Sequence, residues 1–532
     1  MTAETLRLRG RAAAPGLASG PLARLKDARQ EAVTIGSAGA GRAALASAVA
    51  TAASELRALT ARQSGDAVGI LEFQIALLED EDLAAPAFAG IDAGAPALKA
   101  WESALEAQIA DYSAAEDPTF RSRASDLADV RDRVGRVLAG RSATAPGLPD
   151  EAVLVAHDLP PSRFLEIDWT RMAGVALTGG SAASHVAMLA RARGVPMVVG
   201  LGEVPASDGA LILLDGDEGE IEIAPSQSRL AEWRRRMAQD RERRAEELRV
   251  VAAPALTRSG RRIHALINIQ GVSDLDIANA AHADGIGLVR TEFLFEPGAA
   301  PPNAERQLGV YRRILEWAGL RPVTIRTLDA GGDKPIPGVT FEGEANPFLG
   351  VRGLRLSLRR PALFRTQLSA LARAAVFGDL RVMLPMVTTP DEFAEARAHL
   401  DAALADLAAE GVAARRPPLG IMVEVPAAAL AIDGFDADFF SIGSNDLVQY
   451  VTACDRGAGE LAALADPLNP AVLELIRRTV AFGQKTGASV SLCGDMAADP
   501  RCVSALLDCG LESFSVAPPA LGRLKAAIAR HE

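Results

Sequence analysis

Apolar residues recur at spacings of three and four between about residues 41 and 140, which is the pattern of amphipathic helices. Two stripes are continuous: Leu45, Val49, Ala52, Leu56 and Leu59, then Val68, Leu71, Ile75 and Leu78. Two further stretches, near 98–112 and 121–139, complete a predicted four-helix unit with short loops. This region contains no His or Cys. The pattern therefore leaves two interpretations open, a packing bundle and a surface that docks a partner.

The pattern changes at Pro149 to short apolar runs separated by turn glycines. The runs are VLVAHDL (153–159), GVALTGG (174–180), PMVVG (196–200) and ALILLDGDEGEIEI (210–223), with one helical stretch at 184–194. They predict a small α/β domain. Residues 226–250 are highly charged and contain no Gly or Pro, which predicts an exposed helix linking two bodies.

From residue 260 onward, eight apolar runs alternate with segments of helical length. They are RIHALINI, GIGLVRTE, PVTIRTLD, LRVMLPM, LGIMVEV, ADFFSIGSND, ASVSLCGD and LESFSV. This number of strands over about 270 residues predicts a parallel (β/α)₈ barrel. The expected fold class is thus a multidomain α/β protein with a helical bundle and a C-terminal TIM-type barrel.

Composition narrows the functions that this architecture can serve. The 532 residues carry 56 Lys and Arg against 68 Asp and Glu, a net charge of −12, which argues against nucleic acid as the main partner. The four cysteines all follow residue 450, which predicts a reducing, cytoplasmic location rather than a disulfide framework. Neither a signal peptide nor an apolar run long enough to cross a membrane is expected.

Polar residues follow the predicted barrel strands, at the rim where such barrels hold their active sites. They are Arg290, Glu292, Arg326, Asp329, Glu424, Asn445, Asp446 and Cys493. Glu424 and Asp446 end neighbouring strands with no His or thiolate beside them, which predicts a Mg²⁺ site completed by water and substrate oxygens.

Cationic side chains come from several segments near the same rim. Arg290, Arg326, Arg352 and Arg456, with Lys334 in the loop DAGGDK, are suited to a phosphate or carboxylate. Taken singly, each arginine also fits a solvated ion pair. The set therefore supplies the local positive charge that an anionic substrate would require in an acidic chain.

Two further residues are candidates for chemistry. Cys493 closes its strand, and it is either a small buried hydrophobe or a thiol that donates a proton to a carbanion or enolate. His185 lies in the first turn of the helix after GVALTGG, where unpaired backbone N–H groups would favour a phosphoryl group on the imidazole. The other interpretation is a histidine that only caps or packs.

These motifs together resemble the phosphoenolpyruvate (PEP)-utilising enzymes, and among them the Enzyme I branch of the bacterial sugar phosphotransferase system. The resemblance rests on nine runs of sequence spread over nearly the whole chain. They are AAAPGLASG, LEFQIALLEDEDL, GGSAASHVAMLARARGVPMVVG, GIGLVRTEFLF, IRTLDAGGDK, NPFLGVRGLR, MVEVPAAA, FFSIGSNDLVQYVTACDR and CGDMA.

The resemblance implies a role for each candidate residue. His185 corresponds to the phosphohistidine, Cys493 to the proton donor, and Glu424 and Asp446 to the Mg²⁺ ligands. PEP would be held by Arg290, Arg326, Lys334, Arg352, Asn445 and Arg456. The implied partners are PEP and the phosphocarrier HPr, and a homodimer through the barrel is expected.

The implied domains are an N-terminal segment 1–40 that belongs with the α/β domain, an HPr-docking helical subdomain 41–145 and a swivelling phosphohistidine domain 146–225. A linker helix 226–255 and the PEP-binding barrel 256–532 follow. The chain departs from the family at Ala183, where a threonine is usual, and at Val186, where a threonine is common.

Three alternatives remain. The first is a regulatory-branch paralogue, although the sensory domain usual there is not expected here. The second is a relative of pyruvate phosphate dikinase or PEP synthase, whose nucleotide-binding domain the first roughly 150 residues do not resemble. The third is a non-catalytic phosphocarrier, against which the full set of candidate residues argues.

Overall fold

The computed structural model describes residues 5–25, 38–63, 66–114, 118–141, 148–182, 184–295, 300–332, 334–341, 343–455, 461 and 464–532. Two compact units make up the chain, Met1–Glu242 and Arg243–Glu532. No helix in the described part of the chain is long and apolar enough to cross a membrane.

The first unit is built on an eight-stranded mixed sheet with the order β1-β8-β7-β3-β4-β5-β6-β2. The strands are β1 (Leu6–Arg9), β2 (Arg11–Ala14), β3 (Leu17–Arg24), β4 (Val153–Ala156), β5 (Gly174–Leu177), β6 (Met197–Val199), β7 (Leu211–Asp215) and β8 (Glu220–Ile223). Strands β3 to β6 pair in parallel, and the other pairs are antiparallel. Because β5 and β6 are entirely buried, their near-continuous apolar sequences fit strands covered on both faces.

Helices are inserted between β3 and β4 of this sheet. Those described are α1 (Ala38–Thr60), α2 (Asp66–Glu79), α3 (Glu81–Asp92), α4 (Ala97–Ala114) and α5 (Pro118–Leu138). The sequence pattern predicted four helices, and that number is wrong because it omits α3. The Asp80 side chain accepts a hydrogen bond from the backbone N–H of Asp82 at 2.9 Å and so begins a new helix directly after α2. Pro86 inside α3 interrupts the sequence signal that would have revealed it.

Two shorter helices complete the first unit, α6 (Pro161–Glu166) and α7 (His185–Arg193). The sequence predicted only α7, since the six residues of α6 are too few to show a helical period. Helix α7 begins after Ser184, whose side chain accepts a hydrogen bond from Ala187 N–H at 3.3 Å. It ends at Gly194, whose left-handed backbone is a common helix C-cap.

The charged segment forms the 24-residue helix α8 (Gln227–Val250), which crosses the division between the two units. Near its start, the buried Trp233 donates an indole hydrogen bond to the carbonyl of Ala18. Just beyond its end, the Lys525 ammonium donates to the carbonyls of Val251 and Ala253, both at 2.7 Å. Each end of the helix is therefore fastened to a different unit.

The second unit is a closed barrel of eight parallel strands, β10 to β17, because β10 pairs with both β11 and β17. The strands are β9 (Ala255–Leu256), β10 (Arg262–Ile269), β11 (Ile286–Val289), β12 (Val323–Arg326), β13 (Leu380–Leu384), β14 (Leu419–Val423), β15 (Phe439–Gly443), β16 (Ser489–Cys493) and β17 (Ser513–Val516). The short β9 pairs antiparallel with β10. Each of the eight predicted runs contains one barrel strand, which confirms the predicted fold class.

Helices separate the barrel strands along the chain. They are α9 (Asp274–Ile277), α10 (Ala304–Ala318), α11 (Leu354–Arg359), α12 (Pro361–Ala374), α13 (Pro390–Ala409), α14 (Pro426–Leu430), α15 (Ser444–Thr452), α16 (Pro470–Thr486), α17 (Asp495–Ala498), α18 (Pro500–Asp508) and α19 (Leu521–Arg530). Their apolar faces pack against strand residues such as Ile263, Ile325 and Phe514 in one continuous core.

A second, smaller core cluster contains Leu288, Met383, Met422, Phe439 and Cys493. These residues come from five different barrel strands, and each is next to a strand residue of the larger core. Since neighbouring residues of a strand face opposite sides of the sheet, the cluster fills the barrel interior. Cys493, the last residue of β16, lies at the end of that interior nearest the rim.

Candidate active site

Asp329 is the centre of an ion-pair network at the carboxyl end of the barrel strands. Its side chain is fully buried, and its Oδ2 lies 3.0 Å from Arg326 Nη1, 3.0 Å from Arg352 Nη2 and 3.9 Å from Lys334 Nζ. Burial alone would raise the pKa of Asp329, but the charges of Arg326, Arg352 and Lys334 outweigh it and lower that pKa. The carboxylate thus stays ionised and holds three of the predicted substrate-binding cations in place.

The network is extended on both sides by carboxylates. Glu292 accepts hydrogen bonds from Arg326 Nη2 and from the backbone N–H of Asp329, both at 3.0 Å. On the other side, Arg352 Nη1 donates to Asp446 Oδ1 at 3.1 Å, and this arginine side chain is completely buried. Burial would lower the pKa of Arg352, but Asp329 and Asp446 raise it. A guanidinium suits this position because its fork reaches both carboxylates.

Glu424 follows β14 and is buried beside Asp446. Its Oε1 accepts a hydrogen bond from the backbone N–H of Met386 at 2.6 Å. A Cβ atom at Gly443 would lie 2.7 Å from Oε2, so the glycine provides the space that this oxygen occupies. Burial, and then the charge of Asp446, raise the pKa of Glu424. A cation bound between the two carboxylates would offset this repulsion.

Glu424 and Asp446 therefore fit the predicted Mg²⁺ site. Within the described part of the chain, no group of three or more His, Cys, Asp or Glu side chains is arranged to hold a metal ion. Mg²⁺ is commonly bound by one or two carboxylates while water and substrate phosphate complete its shell. Two oxygen ligands are consequently a suitable set for Mg²⁺ and a poor one for Zn²⁺.

Two further predicted ligands of the substrate, Asn445 and Arg290, lie in less buried positions. Asn445, in the first turn of α15, exchanges hydrogen bonds with Asp495, donating to its carboxylate at 3.1 Å and accepting from its N–H at 2.8 Å. Arg290 directly follows β11. Burial lowers the pKa of Lys334, and the charges of Arg326 and Arg290 act in the same direction. Arg456 lies outside the described residues.

Cys493 is 3% exposed, at the rim end of β16. Burial raises the pKa of its thiol to about 11, although Arg326 and Arg290 act in the opposite direction. The group therefore keeps its proton at neutral pH, as a proton donor must. Cys454, Cys502 and Cys509 are also free and buried.

His185 is the first residue of α7 in the first unit, and its side chain is 22% exposed. The helix N-terminus directs backbone N–H groups and partial positive charge towards this end, so it stabilises an anionic group there. Val186, which follows, is buried in the core of the unit. Ala183 lies outside the described residues.

Two residues of the site were not predicted from the sequence. The Tyr450 hydroxyl accepts from Arg352 Nη1 at 3.4 Å and donates to the Phe348 carbonyl at 2.6 Å. Its position four residues after Asp446 on α15 places both on one helix face, which is a signal that could have revealed it. Met386 has a φ of +57°, unusual for a residue with a side chain, and its N–H binds Glu424. No sequence pattern marks that position.

Three family models describe successive parts of the chain. The N-terminal part of PEP-utilising enzymes matches residues 9–123, their mobile domain matches 148–219, and their PEP-binding domain matches 244–532. The last match alone covers more than half of the chain. The chain belongs to the PEP-utilising enzyme family.

Relatives narrow the family branch to phosphoenolpyruvate-protein phosphotransferases. The relative from Geobacillus stearothermophilus is 37% identical over 97% of this chain and 93% of its own length. Relatives from Haloferax volcanii and Streptomyces coelicolor are each 38% identical, over 89% and 91% of this chain and 84% and 85% of their own lengths. All three carry that name. The resemblance found in the sequence is confirmed, and this family member is an enzyme of PEP-dependent phosphoryl transfer.

Proposed function

We propose that this enzyme transfers the phosphoryl group of PEP to His185, releasing pyruvate, and then passes it to a histidine of an HPr-type phosphocarrier. This is the first step of the PEP-dependent sugar phosphotransferase system. The observation that carries the proposal is the place of His185, partly exposed at the start of α7, within the segment that matches the mobile domain of the family.

In this proposal, the barrel rim binds PEP through its two anionic groups. Arg326 and Arg352, held by Asp329, face the phosphate and carboxylate together with Arg290, Lys334, Asn445 and Arg456. The two central guanidinium groups are already buried and paired. Their orientation therefore costs little when the substrate arrives, and their charge acts in a water-poor site where it is strongest.

Glu424 and Asp446 would hold Mg²⁺. When bound, the ion neutralises phosphate charge and makes phosphorus more electrophilic. The Met386 N–H keeps one Glu424 oxygen in position, while Gly443 leaves space beside the other. The protein thus orients the carboxylate before any ligand binds.

Cys493 completes the first half-reaction. The P–O bond of PEP breaks as a ring nitrogen of His185 forms its bond to phosphorus, and the leaving electron pair makes an enolate. The Cys493 thiol then delivers its proton to the enolate carbon, which yields pyruvate. Burial favours this role because it keeps the thiol protonated.

The second half-reaction requires a carrier, and we propose that the helical insertion α1–α5 docks it. Helix α8, fastened at each end to a different unit, is proposed as the linker that permits His185 to serve both partners. A cytoplasmic location is supported by the four free cysteines. A homodimer through the barrel remains a prediction.

Isotope transfer tests the proposal directly. The full chain is incubated with ³²P-labelled PEP and Mg²⁺, and we expect an acid-labile phosphoprotein together with stoichiometric pyruvate. His185→Ala should abolish the label. The matched control is His157→Ala, because His157 lies in the same unit and its ring Nδ1 is hydrogen-bonded to the Thr178 hydroxyl. Label retained in His185→Ala would overturn the assignment, and failure to pass label to an HPr-type carrier would overturn the second half-reaction.

A further inference from the structure

Asp126 is a buried carboxylate that faces the imidazole of His185. It lies on α5, and its Oδ1 is 3.5 Å from His185 Nδ1. The Asp126 side chain is fully buried, whereas the histidine side chain is 22% exposed. The two residues are far apart in sequence, and the fold brings them together through α6, which contacts both α5 and α7.

A carboxylate at this place selects one form of the ring. A neutral imidazole carries its single proton on either nitrogen, and a neighbouring hydrogen-bonding or charged group decides which. A carboxylate beside Nδ1 favours the form with the proton there. The lone pair is then on Nε2, the nitrogen on the other side of the ring. The neighbouring Ser184 side chain accepts a hydrogen bond from the backbone N–H of Ala187 and caps the helix.

We propose that Asp126 is a positioning residue for phosphoryl transfer, which holds the proton of His185 on Nδ1 and so makes Nε2 the nucleophile. This inference rests on the proposed function of His185. It adds the reason why one nitrogen reacts and assigns a role to a residue of the helical insertion, which contains no histidine or cysteine.

The positive charge that develops on the His185 ring during the reaction makes its interaction with the Asp126 carboxylate stronger. The Nε2 lone pair forms the N–P bond, and the P–O bond to enolpyruvate breaks with its electron pair remaining on the enolate oxygen. The ring keeps its Nδ1 proton and gains a positive charge. The Asp126 carboxylate offsets that charge, so its effect is larger in the transition state than in the free enzyme. Loss of this carboxylate should therefore reduce kcat rather than raise KM for PEP.

The variant Asp126→Asn tests the inference in the full chain. Long-range ¹H–¹⁵N spectra of the imidazole, assigned with His185→Ala, report which nitrogen carries the proton. We expect the wild type to be in the Nδ1–H form and the variant to shift towards Nε2–H. The rate of phosphorylation by PEP and Mg²⁺ should fall on the order of 10²-fold, with KM for PEP unchanged.

Asp129→Asn is the matched control. Asp129 is also buried on α5, one turn further along, but its carboxylate binds Ser162 and Gln74. This variant should leave the imidazole spectrum and the rate within about twofold of wild type. A folded Asp126→Asn with wild-type spectrum and rate would overturn the inference.

Two results separate this inference from the function on which it rests. If Asp126→Asn does not fold, the wild-type spectrum still decides, because an Nε2–H form of His185 would refute the proposed contact. If His185→Ala keeps the phosphoryl label, the proposed function fails. The spectrum of the unphosphorylated wild type would still show whether Asp126 keeps the proton of His185 on Nδ1.

Discussion

Replacing Asp329 with asparagine removes the charge at the centre of the barrel network while keeping nearly the same shape. Three cationic groups lie within 3.9 Å of its Oδ2, and the side chains of Asp329 and Arg352 are completely buried. In the variant, the positive charges of these three groups repel one another because the carboxylate that compensated them is gone. Glu292 remains paired with Arg326, and Asp446 remains paired with Arg352.

The expected magnitude follows from this geometry. Removing one partner of a buried ion pair costs about 3–5 kcal/mol, because the remaining charge is left uncompensated. The asparagine oxygen can accept one hydrogen bond but cannot balance Arg326 and Arg352. For a barrel of this size, the loss corresponds to a fall of roughly 6–20 °C in Tm. KM for PEP should also rise, since the two guanidinium groups lose their common anchor.

Differential scanning calorimetry of the full chain measures the effect on the barrel transition. The control is Asp406→Asn, because Asp406 pairs with Arg365 on the barrel surface, where both side chains are about half exposed. Such exposed pairs contribute about 0–1 kcal/mol. A barrel destabilised by under 1 kcal/mol in Asp329→Asn, or equally by both changes, would refute the view that Asp329 organises the site.

Three further predictions concern single groups. Since burial raises the pKa of Cys493 to about 11, the thiol stays protonated at pH values where an ordinary thiol is ionised. The rate of pyruvate release should therefore not fall through ionisation of Cys493 between pH 7 and 9.5. A decline centred near pH 8.5 would contradict the raised pKa. Arg352→Lys should raise KM for PEP at least about tenfold in a pyruvate-release assay, because one ammonium cannot bridge Asp329 and Asp446 as the guanidinium does. An unchanged KM would show that the bridge between the two carboxylates does not contribute to PEP binding. Ser184→Ala removes the cap of α7 and should destabilise that helix by about 1 kcal/mol, measured as faster hydrogen exchange of the Ala187 amide; unchanged exchange would argue against the cap.

Much of the fold was predictable because strand and helix periods are local properties. Each barrel strand lies within a run that alternates with helical segments, so the eight runs sufficed to indicate the barrel. The errors have local causes as well. Pro86 masks the helical signal of α3, and the six residues of α6 are too few to show a period.

The candidate site was predictable to a different extent. Residues at strand ends were found because the carboxyl ends of parallel barrel strands converge on one rim. Tyr450 was missed although its position four residues after Asp446 on α15 was available as a signal, and Met386 was missed because a methionine in a loop carries no sign of its partner. The Met386 backbone conformation, which directs its N–H to Glu424, arises from the loop around it.

By itself, the sequence determined the order of the barrel strands, the types of chemical group at the strand ends and the family, because these depend on residue identity and short-range spacing. The tertiary structure alone decided which of these groups meet. Arg352 reaches Asp446 across 94 residues, and Asp126 reaches His185 from α5 of the helical insertion. Closing the barrel and bringing α5 near the first turn of α7 create those distances. At a few ångströms in a buried site, one charge acts on a neighbouring polar group strongly enough to shift a pKa and to hold a binding geometry.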